Sequence, residues 1–477
     1  MPHTAPFRGP ARLHCLARSR TQAGPAAANR KCWHFLWSYA VSARALSAMM
    51  AFRLGHGSAS TGGDCMQGSD RHLSLDAMRG FGVMGILLLN IIGFSMPGAA
   101  YVNPAAWGGT DPLNIGVWAT NFVLFDGKMR GLFSVLFGAS MLLIIQRAEA
   151  SGQNPKSVHL NRMAWLFVIG AAHYTILWWG DILVPYAISG TLALYFVKKD
   201  VKQLIRWAII LFSLYFIIAC LMVGGGWWQS IQGIAPGTDA ETVESTRQML
   251  ASFGKPGSDE ITSDLSLYRS GWPAIFADNL STFPSSLVNA LLLFTLDTMG
   301  MMVLGMAMLK SGFILGLWAP DFYAKVARRA FAIGLGPMIA LAAWVIASGF
   351  DTMTAFGAFF AFSFPFRVVL TVGWAALLLW FVVRNRDNAL VVRVAAAGRA
   401  AFSNYLGTSL VMTFVFYGWG LGLFGHIDRI TAMAFVFAVW GIMLLWSKPW
   451  LERFRFGPAE WLWRSLARRS VQPMRLR

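Results

Sequence analysis

"AWLFVIGAAHYTILWWGDILVPYAI", residues 164–188, is almost wholly apolar, yet it holds His173 in its middle and Asp181 eight residues later. As a helix, an apolar run of about 20 residues crosses about 30 Å of hydrocarbon. His173 lies about 17 Å of helical rise beyond Arg162, which places the imidazole near the middle of a bilayer. Polar groups at that depth cost enough to need a partner or a task. This stretch therefore sets the fold class, a membrane helix, and raises the question of function.

The rest of the chain agrees. Of 477 residues, 56% are hydrophobic and 13% charged, a balance that a water-soluble domain cannot carry. Ten apolar runs recur, near 80–97, 130–146, 162–179, 182–197, 204–224, 284–309, 330–348, 358–383, 401–424 and 431–447. They lack the period-two alternation of a β-barrel. The expected architecture is an all-α polytopic transmembrane bundle of about ten spans. The shorter stretch 113–125 reads as an interfacial or re-entrant lead into the second span.

The formal net charge of +18 would suit nucleic acid, but its placement argues against such a partner. Basic residues collect in alternate loops: Arg147, Lys156 and Arg162; Lys198, Lys199, Lys202 and Arg206; Lys310, Lys325, Arg328 and Arg329; Arg384, Arg386, Arg393 and Arg399; then from Lys448 onward. The intervening loops are poor in them. The positive-inside rule then puts both termini in the cytoplasm.

Residues 1–70, rich in Arg, Ala, Ser and Gly, read as a disordered extension or a start assigned too far upstream. A five-span half, 71–224, leads to an extracytoplasmic segment, 225–283, and a second five-span half, 284–447. Five-plus-five halves match the arithmetic of inverted-repeat transporters, although the two halves share no evident sequence similarity. The tail 448–477 contains "KPWLERFRFGPAEWLWRSLARR", whose rings and cations suit the cytoplasmic interface and anionic lipid. Cys15, Cys32, Cys65 and Cys220 form no ligand pattern, so neither a disulfide nor a metal site is expected.

The charges inside or beside the spans are the candidate site residues. His173 suits a general base or proton relay, and equally a neutral imidazole bonded to a neighbouring helix. Asp181 either caps the helix that follows or faces a ligand. Asp297 in "LLLFTLDTMGMM" and Arg367 in "FSFPFRVVL" are expected to pair, which lowers the cost of both; alternatively, Arg367 receives an anionic group of a substrate. Asp76 and Arg79 share a helix face at the cytoplasmic end of the first span, as an anchoring pair or as a site for a phosphate-bearing ligand. Asp126, Lys128 and Arg130 cluster on the outer side, against the charge trend. No nucleotide, zinc-protease or nucleophile-elbow motif is present.

Several of these stretches carry a family resemblance. "LDAMRGFGVMGILLLNI", "GKMRGLFSVLFGAS", "NRMAWLFVIGAAHYTILWWGDILVPYAISG" and, most specifically, "GRAAFSNYLGTSLVMTFVFYGWGLGLFG" with "GPAEWLWRSLARR" resemble the YeiB-like family of bacterial inner-membrane proteins, domain of unknown function 418. The resemblance covers about residues 71–469 and implies a multi-pass protein of the inner membrane. The N-terminal half is also similar in plan to membrane acyltransferases such as the heparan-glucosaminide N-acetyltransferases, which begin with a D-x-x-R-G pattern matched here by Asp76, Arg79 and Gly80. That similarity implies acyl-coenzyme A as a co-substrate drawn from the cytosol. Those enzymes are associated with a histidine in the loop after the first span. Residues 98–125 contain none, so His173 would have to serve from another helix.

Two activities fit these residues, beside a third reading as a structural or regulatory membrane protein. An acyl-group transferase would bind its donor near Asp76 and Arg79, use His173 as base, and orient the acceptor with Asp181 and Asp126. A transporter or permease would use His173, Asp297 and Arg367 as a midplane relay or ligand site.

Overall fold

The computed structural model describes residues 68–252 and 257–476. The extension read over 1–70, with Cys15, Cys32 and Cys65, lies outside the described residues but for its last three. The described chain is helical: α1 (Gly68–Ser95), α2 (Pro112–Thr120), α3 (Lys128–Ala150), α4 (Pro155–Ile176), α5 (Leu183–Leu192), α6 (Val201–Gln232), α7 (Ala240–Ser252), α8 (Asp259–Tyr268), α9 (Trp272–Asn289), α10 (Thr295–Lys310), α11 (Pro320–Ala347), α12 (Thr352–Gly357), α13 (Phe364–Arg384), α14 (Ala389–Arg399), α15 (Ala401–Phe416), α16 (Arg429–Arg453) and α17 (Pro458–Arg468). Among the described residues the only β pairing is an isolated bridge between Phe454 and Arg475.

Each expected run falls largely on helix, although the run 401–424 leaves it at Phe416 and continues through turns. Among the described residues, however, only six helices are long and apolar enough to cross a membrane alone, or seven if α9 and α10, bent by 53°, make one broken span. The difference from ten has a local cause. The helical stretches 183–196 and 401–416 are apolar but short, and α4 carries Lys156, His159, Asn161 and Arg162 in its first turns. The predicted lead-in at 113–125 is α2 followed by a π-helical turn, Asn121–Phe125, which runs through Asp126 and Gly127 into α3. Asp111 starts it, accepting from the backbone N–H groups of Leu113 and Asn114.

The core sits on α10, which is buried from Asp297 to Leu309 and packs between α3 and α6. Two crossings are close enough to need glycine. A Cβ on Gly138 of α3 would strike the Met302 backbone, and one on Gly305 of α10 would strike that of Val135. Gly80 of α1 and Gly398 of α14 make the same kind of approach, to Val394 and Asp76. Small residues at such points let apolar helices gain dispersion contact and bring their polar groups within reach of one another.

Two further π-helical turns occur, Ala290–Phe294 between α9 and α10 and Ala358–Phe362 between α12 and α13. A π turn inserts one residue into an α-helical course and recurs at functional sites. The first turn ends at Asp126, and the other two supply Ala290, Phe294, Phe359 and Phe360 to one cavity.

Candidate functional site

The described residues enclose two sizeable cavities. The larger, about 570 Å³, lies among the ends of α1, α3, α4, α6 and α9 that the charge pattern assigns to the outer side. The smaller, about 200 Å³, lies among the basic ends of α1, α3 and α4, with the starts of α15 and α17. Both cavities are lined by Ile182 and Tyr186, so the short stretch 182–186 is their common wall.

In the outer cavity the acids and bases are paired across helices. Arg130 bonds the Asp297 carboxylate and donates to Thr298 Oγ1 at 3.1 Å. Asp126 accepts from the Tyr101 hydroxyl at 3.1 Å, and Arg367 Nη1 stands 3.8 Å from its other oxygen. The expected Asp297–Arg367 pair is therefore not formed. Asp297 sits on α10 against α3, whose first turn brings Arg130 to it, while Arg367 on α13 meets the turn that opens α3. Lys128, fully buried, donates to the Phe122 carbonyl at 2.7 Å. That bond satisfies a cation on the π turn rather than at an acid.

Gly127 opens α3 at φ +68°, a conformation that glycine adopts at little cost. A Cβ there would collide with the Arg367 side chain, so the glycine also makes room for the guanidinium.

The partition carries His173. Its Nδ1 lies 2.9 Å from Asp181 Oδ1, and Asp181 Oδ2 accepts the Val184 backbone N–H at 2.8 Å. Asp181 thus supports the start of α5, as the capping reading expects, and also holds the histidine, a contact that neither reading named. A carboxylate beside Nδ1 accepts a proton from it, so in the neutral imidazole this contact favours the Nδ1–H tautomer with the lone pair on Nε2. Nε2 is buried and has no hydrogen-bond partner among the described residues. The imidazole lines neither cavity. Its ring centroid is 6.5 Å from that of Trp178, in the outer cavity wall, and 5.2 Å from that of Tyr405, in the inner wall. Tyr186 completes the partition, sharing a 2.6 Å hydrogen bond with Ser134 and donating to the Arg130 carbonyl at 3.1 Å.

The inner cavity is lined by Arg79, Arg162, Arg399 and Arg464, with Glu460 as its one acid. Arg79 pairs with Asp76 at 2.8 Å and reaches Ser140 at 2.9 Å. Arg162 lies over the Trp463 ring, 4.2 Å from its centroid, and the Trp463 indole donates to the Arg162 carbonyl at 3.0 Å. Glu460 is spent on structure. It accepts the Phe402 N–H at 2.6 Å and the Ser403 hydroxyl at 2.5 Å, and so caps α15 from outside. Burial raises the pKa of Glu460 above the ordinary carboxylate range. Arg464 is shifted down by burial, and like charge from Arg468, Arg79 and Arg147 adds to that shift.

Six of the candidate residues thus line or directly support the outer cavity and its partition: Asp126, Arg130, Asp297, Arg367, Asp181 and His173. Asp76 and Arg79 belong to the inner one. Sequence reasoning missed Arg162, Arg399 and Arg464 as a group, because they come from three separate elements. The Trp and Arg spacing of the tail was the only signal, and it was read as a lipid-facing pattern. α17 packs on α4 and α15, and its Glu460 is partly buried against the start of α15.

Comparison with known proteins agrees with this architecture. Residues 308–470 match the model described as "Protein of unknown function (DUF418)". The chain is 30% identical over 414 residues to "Uncharacterized protein YeiB" of Escherichia coli (strain K12), covering 85% of this chain and 98% of that protein. It is 29% identical over 424 residues to "Uncharacterized protein YxaH" of Bacillus subtilis (strain 168), covering 84% and 95%. A 39.9 kDa protein encoded beside an amylase in Bacillus acidopullulyticus is 25% identical over 408 residues. These full-length matches, on a bundle of apolar helices with the quoted motifs at its two cavities, place the chain in the YeiB-like DUF418 family of membrane proteins.

Proposed function

We propose that this protein, in the bacterial inner membrane, transfers an acyl group from a phosphate-bearing cytosolic donor, such as acyl-coenzyme A, to an acceptor entering from the outer side. The observation that carries this reading is the pair of cavities present at once and sharing the wall at Ile182 and Tyr186. A transferase needs donor and acceptor bound together, their reacting ends meeting at one place. A transporter working by alternating access opens one side while closing the other. Simultaneous cavities favour the transferase.

The chemistry then follows from the side chains. Arg79, Arg162, Arg399 and Arg464 hold the donor's phosphates, the role for which guanidinium geometry is suited. The acyl end lies toward Tyr186. An acceptor hydroxyl or amine in the outer cavity attacks the acyl carbon while His173 Nε2 takes its proton. The carbon–sulfur bond of the thioester breaks, and His173 returns the proton to the leaving thiolate. Asp181 holds the imidazole and stabilises its charged form, the part a carboxylate plays beside a catalytic histidine. Because His173 lies behind Trp178 and Tyr405, one of these rings must turn aside when both substrates are bound.

The test is turnover of radiolabelled acyl-coenzyme A by purified protein in lipid. His173→Ala, in a variant that retains its thermal transition, is expected to lose about 10²–10⁴-fold in transfer. Turnover equal to that of the unmodified protein would remove the transferase reading.

A further inference from the structure

Arg367 is 6% exposed and lines the outer cavity, yet its Nε and Nη2 have no hydrogen-bond partner among the described residues. These two nitrogens form one edge of the guanidinium, the edge that grips an oxyanion through two parallel hydrogen bonds. Its third nitrogen leans on Asp126 at 3.8 Å, beyond hydrogen-bond length, and Asp126 Oδ2 is itself without a partner. Buried donors are ordinarily satisfied, so a buried, open fork is a cost with no structural return.

The surroundings sharpen this. Five ionisable groups cluster here, Asp126, Lys128, Arg130, Asp297 and Arg367. With all of them ionised, three bases face two acids. Arg130 is paired with Asp297 and Arg367 stands beside Asp126, so the base without an acid is Lys128, held on a carbonyl, and the cluster keeps a net positive charge around the open Arg367 edge. Beside it the cavity offers aromatic surface from Tyr101, Tyr215, Phe359 and Phe360, and amide groups at Asn90 and Asn289.

We infer that the outer cavity selects a ligand bearing an oxyanion, a carboxylate or phosphate, which binds bidentate to Arg367 Nε and Nη2. This rests on the reading of that cavity as the acceptor site and names the acceptor's class: an acid whose neutral part, a polyol or sugar, lies on the rings. The Arg367 fork fixes the orientation, and the end remote from the acid faces the partition.

The experiment is calorimetric titration of the purified full chain without any acyl donor, so that binding is read apart from turnover. The probes are sn-glycerol 3-phosphate against glycerol, and glucuronate against glucose. The charged member of at least one pair is expected to bind about tenfold or more tightly than its neutral twin, and the pair that responds identifies the oxyanion. Competition by phosphatidylglycerol in nanodiscs places the acid on a lipid headgroup; its absence places it on a soluble acceptor. Arg367→Gln abolishes the preference, while Asp126→Asn, which frees the guanidinium from its counter-charge, strengthens it about threefold. Should Arg367→Gln fail to fold, Arg367→Lys, which keeps the charge but loses the fork, carries the same test and loses most of the preference. Equal binding within both pairs, a preference indifferent to these variants, or no binding by any probe overturns the inference. Anion binding without acyl transfer would leave this site standing and remove the transferase. Transfer to neutral acceptors alone would do the reverse.

Discussion

The two cavities solve the same problem, charge inside a low-dielectric bundle, in opposite ways. In the outer one, acids and bases meet in cross-helix pairs, Arg130 with Asp297 and Arg367 with Asp126. In the inner one, four arginines surround a single glutamate that is committed to capping α15. Removing two charges from water is costly, and their attraction repays the cost only when the partners are in place. The Arg130–Asp297 pair can therefore hold helices together, while Arg367, 3.8 Å from Asp126, keeps one edge of its guanidinium open. Four cations around one acid cannot do so in the same way, and under the proposed function they receive the donor's phosphates. The contrast is between acids and bases set opposite one another across helices and cations gathered around one committed acid.

Variants that remove one charge at a time should separate these uses. The largest effect is expected in the outer cavity. Asp297→Ala leaves Arg130 without its carboxylate and should cost about 3–5 kcal/mol of stability, read by chemical unfolding in detergent. An unchanged transition would show that the pair is not structural. At the inner cavity, Arg162→Gln should leave the unfolding transition in place. It should raise the apparent KM for acyl-coenzyme A about tenfold with kcat nearly unchanged, and added salt should blunt the difference. Loss of stability here instead would erase the contrast.

The smallest effect concerns Glu460. Its folded pKa lies above the ordinary value, through burial. A raised carboxyl favours the protonated fold, so its contribution is fully present below the unfolded pKa and is lost as pH rises toward the folded one. Docking of α17 on α15 should therefore loosen across that window, read as growing proteolytic cleavage of the tail. Glu460→Gln should flatten the profile.

How much of this the sequence disclosed depends on the range of the interaction. Helical runs and alternating basic loops are local patterns, and each expected run falls largely on helix. The costly charges were legible one by one, because a lone Asp297 or Arg367 in an apolar run is conspicuous in any arrangement. Their partners were not. The sequence pairs Asp297 with Arg367, the one basic residue well inside a later apolar run, whereas the bond goes to Arg130, across 167 residues. Which helices are neighbours is set by close approaches such as Gly138 on Met302, and spacing along one helix carries no record of them. The inner arginines were hidden for the same reason. The tail's aromatic and basic residues suit a lipid surface as well as they suit α4.

The π turns also set the molecule's tolerance to length change. One residue of an α-helix corresponds to about 100° of rotation about its axis. Deleting a single residue from Ala358–Phe362 would restore a plain α-helix and turn Phe359 and Phe360 by about that angle relative to Arg367. Either the rings or the guanidinium would then leave the cavity wall. A one-residue gap in this stretch should therefore be tolerated far less than most point replacements there.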